Sequence, residues 1–129
     1  MERVYKSQDN CPIARTLDVI GDRWTFLVLR GLFVGQNRFT DMLESLGGIS
    51  PNLLADRLKR LEQVAIVERV FYSDHPPRAE YRLTEKGRAL GPVLHALGEW
   101  GAAYELSEEQ KADPALVEAM ARMSAAVSP

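Results

Sequence analysis

The chain has 129 residues, 46% hydrophobic and 26% charged, with a formal net charge of −2. That balance fits one domain able to bury a core and excludes disorder as the main state. Seven Pro and nine Gly are scattered without a period, no window of about 18 apolar residues offers a membrane span, and MERVYKSQDN is too polar for a signal peptide, so a cytoplasmic protein with no membrane partner is expected.

Pro12 suits a first helical position, and Ile13, Leu17 and Ile20 recur at near-helical spacing up to Gly21, which predicts a short first helix. From Trp24 to Phe33 apolar residues occupy most of the helical circumference, the mark of a central core helix. Gly35-Gln36-Asn37 reads as a turn, and Thr40 is expected to cap a short helix carrying Met42, Leu43 and Leu46 until Gly47-Gly48. Ser50 as N-cap and Pro51 at the first position then start a helix running to about Val64. On it Leu54, Leu58, Leu61 and Ala65 stack on one side, Asn52, Asp56, Lys59 and Gln63 point the opposite way, and Arg57 and Arg60 lie at the border.

IVERVFY over 66–72 is β-branched and aromatic, and Ala79, Tyr81 and Leu83 alternate with polar residues, so the two read as a β-hairpin whose protruding connection is Ser73 to Arg78. Thr84 caps one long helix with an apolar stripe of Leu90, Val93, Leu94, Leu97, Gly101 and Tyr104. Its Gly87, Gly91, Gly98 and Gly101 each cost up to about 1 kcal/mol relative to Ala, which packing against a partner must offset. A polar connection, SEEQKADP, leads to a last helix starting at Pro114, with Leu116, Met120, Met123 and Val127 on one side. The division expected is 1–104, one unit holding the hairpin and the helices around it, and 105–129, an acidic helical extension.

Helix, helix, short helix, glycine turn, polar-faced helix, hairpin and long helix is the winged helix-turn-helix order: mainly α, a small β-hairpin wing, and dimerisation helices at both ends. The net charge conceals a basic middle, because residues 57–88 hold eight Lys/Arg against five Asp/Glu and residues 105–129 hold two against five. One α-helix fits the major groove, and affinity begins with cations meeting phosphates.

On the outer face Asn52 can pair bidentately with adenine and Leu53 can touch a thymine methyl, while Arg57, Lys59 and Arg60 position the helix on phosphates. Asp56 either accepts from a cytosine amino group or, as is expected more, restrains Lys59 or Arg60. Arg38, Thr40 and Ser50 stand at helix entrances where hydroxyls and backbone donors meet phosphate, and His75 and Arg78 occupy the wing tip. Each has a plainer reading beside this one: a solvated face, a cap or an exposed turn. Trp24, Trp100 and Tyr104 could line an effector pocket, but aromatics at helical spacing are more often core or dimer contacts, and the dimer reading is preferred.

A single cysteine, Cys11, excludes an internal disulfide, and with His75 and His95 alone no structural zinc site is expected. No nucleophile elbow or phosphate-binding glycine loop is present, so neither an enzyme nor a bound cofactor is expected. Cys11 stands before Pro12 at a helix N-terminus, where it is either a redox-sensing thiol or an inert one.

The stretches CPIARTLDVIGDRW, RFTDML, GISPNLLADRLKRLE and PPRAEYRLTEKGRAL resemble the HxlR family of bacterial regulators, relatives of MarR-type winged helices, over residues 11 to about 101. The resemblance implies a homodimeric transcriptional regulator on a double-stranded operator. In that family Ser50 to Val64 would enter the major groove, Ser73 to Arg78 would reach the minor groove or backbone, and a cysteine matching Cys11 senses oxidants or electrophiles in some members. Repression of a roughly palindromic operator is the expected action, with a small-molecule or oxidant effector; a winged helix used only for protein contacts is the rival. Two departures stand out. Val64-Ala65-Ile66 replaces the family's alanine-glycine-leucine at a left-handed helix exit, which predicts a reshaped exit, and Gln36-Asn37 supplies one basic residue fewer before Arg38.

Overall fold

The computed structural model describes residues 3–127, and of Pro77 the backbone alone. Helix α1 (Pro12–Ile20) starts from Cys11, whose Sγ accepts the Ala14 N–H at 3.4 Å, and ends where the Gly21 N–H returns to the Leu17 carbonyl. Asp22 then launches α2 (Thr25–Phe33) by accepting the backbone N–H groups of Trp24 and Thr25 at 3.0 and 3.1 Å. Val28, Leu29 and Leu32 of α2 are buried, and Trp24 packs half-buried against the same core. The N-cap of α3 (Phe39–Leu46) is Arg38, not Thr40; extended backbone at Arg38 lets the helix begin one residue before Thr40, which lies exposed in the first turn. Ser50 caps α4 (Pro51–Gln63) as expected, its hydroxyl accepting the Leu53 N–H at 3.1 Å.

Leu54, Leu58 and Leu61 of α4 are buried with Ile20, Met42, Ile49, Ile66 and Val67 in the core. Each such aliphatic side chain contributes about 1.5–3 kcal/mol on burial, so α4 is held by its own stripe. Ala65 does not extend that stripe: it is exposed and past the helix end. Nor is the exit reshaped, because Ala65 takes the left-handed conformation itself, at φ 62°. Its N–H bonds to the Glu62 carbonyl and that of Ile66 to the Leu61 carbonyl, the paired bonds of a Schellman ending, so two otherwise orphaned carbonyls outweigh the strain on a Cβ.

Strands β1 (Val67–Asp74) and β2 (Pro77–Leu83) pair antiparallel from Val67–Leu83 to Asp74–Pro77, with an irregularity between Phe71 and Ser73. The wing is longer than the alternation indicates, because pairing continues past the bulge and leaves His75-Pro76 as the turn. The Tyr81 N–H donates to the Asn37 carbonyl at 2.8 Å, fastening β2 to the loop before α3.

The long helix is two helices, α5 (Glu85–Arg88) and α6 (Gly91–Tyr104), because Pro92 has no N–H to continue the ladder and instead opens a new first turn. A short α7 (Glu108–Lys111) occupies what reads as a polar connection; Ser107 and Gln110 form a reciprocal capping box there. Helix α8 (Pro114–Val127) folds back on α2 and α6 of its own chain, burying Val127 beside Gly91. Before α1, buried Asp18 accepts the N–H groups of Val4 and Tyr5 and the Arg3 guanidinium, tying residues 3–5 to α1. Burial alone pushes the Asp18 carboxyl up, but these donors outweigh it and hold the group below the ordinary carboxylate range. Among the described residues no helix is long and apolar enough to cross a membrane.

Candidate nucleic-acid interface

With its leucines turned inward, α4 presents Asn52, Asp56, Lys59 and Gln63 to solvent, and Ser50 is exposed at its start. Leu53 is half-buried and packs on the core, which leaves part of its side chain open to solvent. Arg60 is half-buried at the border of this face.

Arg57 is placed differently from Lys59. Its Nε lies 3.1 Å from Asp22 Oδ1 without hydrogen-bond alignment, and its terminal nitrogen donates to Asp56 Oδ2 at 2.7 Å. Asp56 therefore restrains Arg57, its neighbour, and not Lys59 or Arg60, because the Arg57 guanidinium is turned back toward Asp22. Burial pushes the Asp22 carboxyl up, yet the Thr25 hydroxyl, the Trp24 N–H, Arg57 and the Thr25 N–H together hold it below the usual range. One carboxylate thus starts α2 and braces α4. The spacing from Asp22 to Thr25 carries the capping signal in the sequence; the long-range brace leaves none.

Around the wing, Arg38 lies with Cζ 5.0 Å from the centre of the Tyr72 ring and Nε 3.8 Å from Glu80, so this expected phosphate ligand also anchors the hairpin. Arg69 reaches Glu62 at 3.6 Å and stacks over Phe71, linking β1 to α4. Between α4 and the hairpin runs a cleft of about 550 Å³ lined by Ala55, Lys59, Glu62, Gln63, Arg69 and Tyr81. Burial, with Glu62 adding and Arg69 opposing, raises the Tyr81 hydroxyl above its ordinary range, so it remains a protonated donor at neutral pH. Arg69 and Tyr81 are cleft residues that the alternating pattern does not single out, since each reads as one half of a strand period. His75 and Arg78 are exposed at the wing tip, apart from this cleft.

A polar-faced helix seated on three smaller helices and flanked by a hairpin is the reading head of a winged helix-turn-helix. The profile described as HxlR-like helix-turn-helix matches residues 19–109. The chain belongs to this HxlR-like family. It is 44% identical over 94 residues to the uncharacterized HTH-type transcriptional regulator sll1512 of Synechocystis, covering 73% of this chain and 70% of that one. Among solved structures, the redox regulator HypR in its reduced form is 36% identical with a TM-score of 0.70, covering 74% of this chain and 94% of that chain. Reduced YodB from Bacillus subtilis is 38% identical with a TM-score of 0.63 over 73% and 93% of the two chains. This HxlR-like chain is accordingly a transcriptional regulator with a helix-turn-helix DNA-binding fold.

Away from the reading head, the HxlR-like fold exposes apolar side chains along α1 and α6. Ile13 is 72% exposed, Trp100 59% and Tyr104 74%, with Leu17, Val93 and Leu97 also open to solvent. Trp100 and Tyr104 rings meet at 5.6 Å. A groove lined by Pro12, Ile13, Leu17, Phe26, Val93 and Leu97 joins the two helices. Cys11 is half-buried at the N-terminal edge of α1. Among the described residues no group of three His, Cys, Asp or Glu is placed to hold a metal ion.

Proposed function

We propose that the chain acts as a homodimeric repressor on a two-fold operator, with one α4 in each of two successive major grooves. The observation that carries this reading is the opposition of two surfaces: a polar α4 face beside a basic wing cleft on one, and the bare apolar α1–α6 face on the other. Asn52 reads a base edge, Ser50, Thr40, Lys59, Arg60 and Arg38 meet phosphates, Leu53 offers the exposed part of its side chain, and Arg78 with His75 extends the contact from the wing. Arg57 serves by holding α4 to Asp22.

Cys11 is the proposed input. Oxidation or alkylation of its Sγ would add atoms to the group that accepts the Ala14 N–H and so disturb the start of α1, hence the spacing of two reading heads joined through α1 and α6. The relatives HypR, solved as a redox regulator in reduced and oxidized forms, and YodB, solved after diamide treatment, favour this input.

Footprinting on the DNA upstream of the protein's own gene, with fluorescence anisotropy across a salt series, tests the whole reading. Expected is a protected two-fold site, a steep fall of affinity with salt, and a smaller response to oxidant in Cys11→Ser. Binding insensitive to salt, or no protected site, would mean a winged helix used for protein contacts. For Lys59→Ala the salt slope should drop by about one unit, whereas Asn52→Ala should relax base preference by about 1–3 kcal/mol.

A further inference from the structure

Behind the reading head lies a second cleft, separate from the one facing the wing. Its volume is about 270 Å³, just under the roughly 300–1,000 Å³ of sites that take drug-sized ligands, and it is lined by Arg15, Thr16, Val19, Ile20, Ile66, Lys86 and Leu90. The walls come from α1, α5 and Leu90 at the start of α6, and Ile66 is a core residue directly after the left-handed exit of α4. Four aliphatic side chains line an opening that carries two cations and a hydroxyl, with no carboxylate in the lining. Lys86 Nζ donates to the Val64 carbonyl at 2.7 Å, and an Arg15 guanidinium nitrogen lies 3.5 Å from the Asp9 carbonyl. Both cations therefore rest on neutral backbone oxygens, and a carboxylate is a better acceptor for either than a carbonyl is.

We propose that this cleft binds a small amphipathic monocarboxylate, its hydrocarbon body against Val19, Ile20, Ile66 and Leu90 and its carboxylate between Arg15 and Lys86. Occupancy turns Lys86 from the Val64 carbonyl, which is the C-cap of α4, and so loosens the end of the helix that carries Asn52 and Lys59. The inference adds a second, thiol-independent input, and its effect on DNA rests on the operator reading above; the binding itself does not.

The test uses the full chain and 4-phenylbutyrate, with the neutral 4-phenylbutyramide as control, followed by titration calorimetry and backbone-amide NMR. The acid should bind saturably and move the amides of Thr16, Val19, Ile66 and Leu90. The amide, Arg15→Gln and Lys86→Met should each weaken binding by about tenfold. Arg15 is exposed on α1, so Arg15→Gln keeps the test sound should Lys86→Met lose its fold. No saturable heat, equal affinity for acid and amide, or unchanged affinity in Arg15→Gln overturns the site. So do shifts confined to Val93, Leu97 and Trp100, which would place the probe on the α1–α6 face. Bound acid should lower the affinity for operator DNA several-fold in the parent and not in Arg15→Gln; an unchanged affinity overturns the coupling. Absence of any operator binding before ligand is added would instead overturn the DNA reading and leave the calorimetric result standing.

Discussion

Helices α4 and α6 are almost equal in length, 13 and 14 residues, and both carry regularly spaced leucines, yet they meet solvent with opposite faces. Leu54, Leu58 and Leu61 of α4 all point into the core of their own chain, so its polar side is free for work. On α6 Leu94 is buried, while Val93, Leu97, Trp100 and Tyr104 lie open. A helix whose apolar stripe is consumed within the monomer can offer charge and amide groups to a charged polymer. One with surplus apolar surface is incomplete until another surface covers it. Under the proposed function the first helix reads DNA and the second assembles the dimer.

The largest effect should follow an attack on α6. Leu97→Asp with Trp100→Ala is expected to weaken self-association by at least about 2 kcal/mol, roughly thirtyfold, in sedimentation experiments, with the fold retained by circular dichroism. A parent chain already monomeric at high concentration breaks the comparison.

Arg57→Ala sharpens the α4 side. Because Arg57 braces α4 to Asp22, the variant should lose about 1–3 kcal/mol in denaturant unfolding while the salt slope of DNA binding hardly changes. A slope reduced by one unit per half-site at unchanged stability would instead put Arg57 on phosphate.

Asp22→Asn should cost about 1–2 kcal/mol near neutral pH through the hydrogen bonds its charge accepts. The folded protein holds this carboxyl below its ordinary range, so its contribution is complete above the unfolded value near pH 4 and is lost as pH falls through the folded value. Parent and variant stabilities should therefore converge in acid, and a gap independent of pH would detach Asp22 from this role.

The smallest effect is a gain. Ala65→Gly relieves a left-handed Cβ and should stabilise the chain by about 0.5–1 kcal/mol, raising Tm by a few degrees. A loss would mean that the Ala65 methyl makes contacts that its exposure does not suggest.

Most helix starts were legible because they are local chemistry. Ser50-Pro51, Thr84 and Pro114 advertise themselves through caps and a fixed φ, and the inward leucines of α4 follow from period alone. Two misread boundaries had readable signals of the same kind: Pro92 marks the break between α5 and α6, and Ser107 with Gln110 spells the capping box of α7. Other features had no local signal. That Arg57 faces Asp22, that Arg38 stacks on Tyr72, and that Arg69 and Tyr81 border the cleft beside α4 all depend on how distant segments meet. For the candidate interface, pattern located the right helix and wing, whereas the division between side chains that brace and side chains that reach outward required coordinates.

Gly87 brings α5 against the chain leaving α4. A Cβ there would stand 2.2 Å from the Ile66 carbonyl oxygen and 3.1 Å from a Leu83 methyl, with backbone as the main obstacle. Any side chain must wedge apart the exit of α4 and the base of the wing together. A temperature-sensitive allele of this regulator is therefore best sought at codon 87, where one added methyl would loosen the junction of α4 with the wing and leave the surface of α6 untouched.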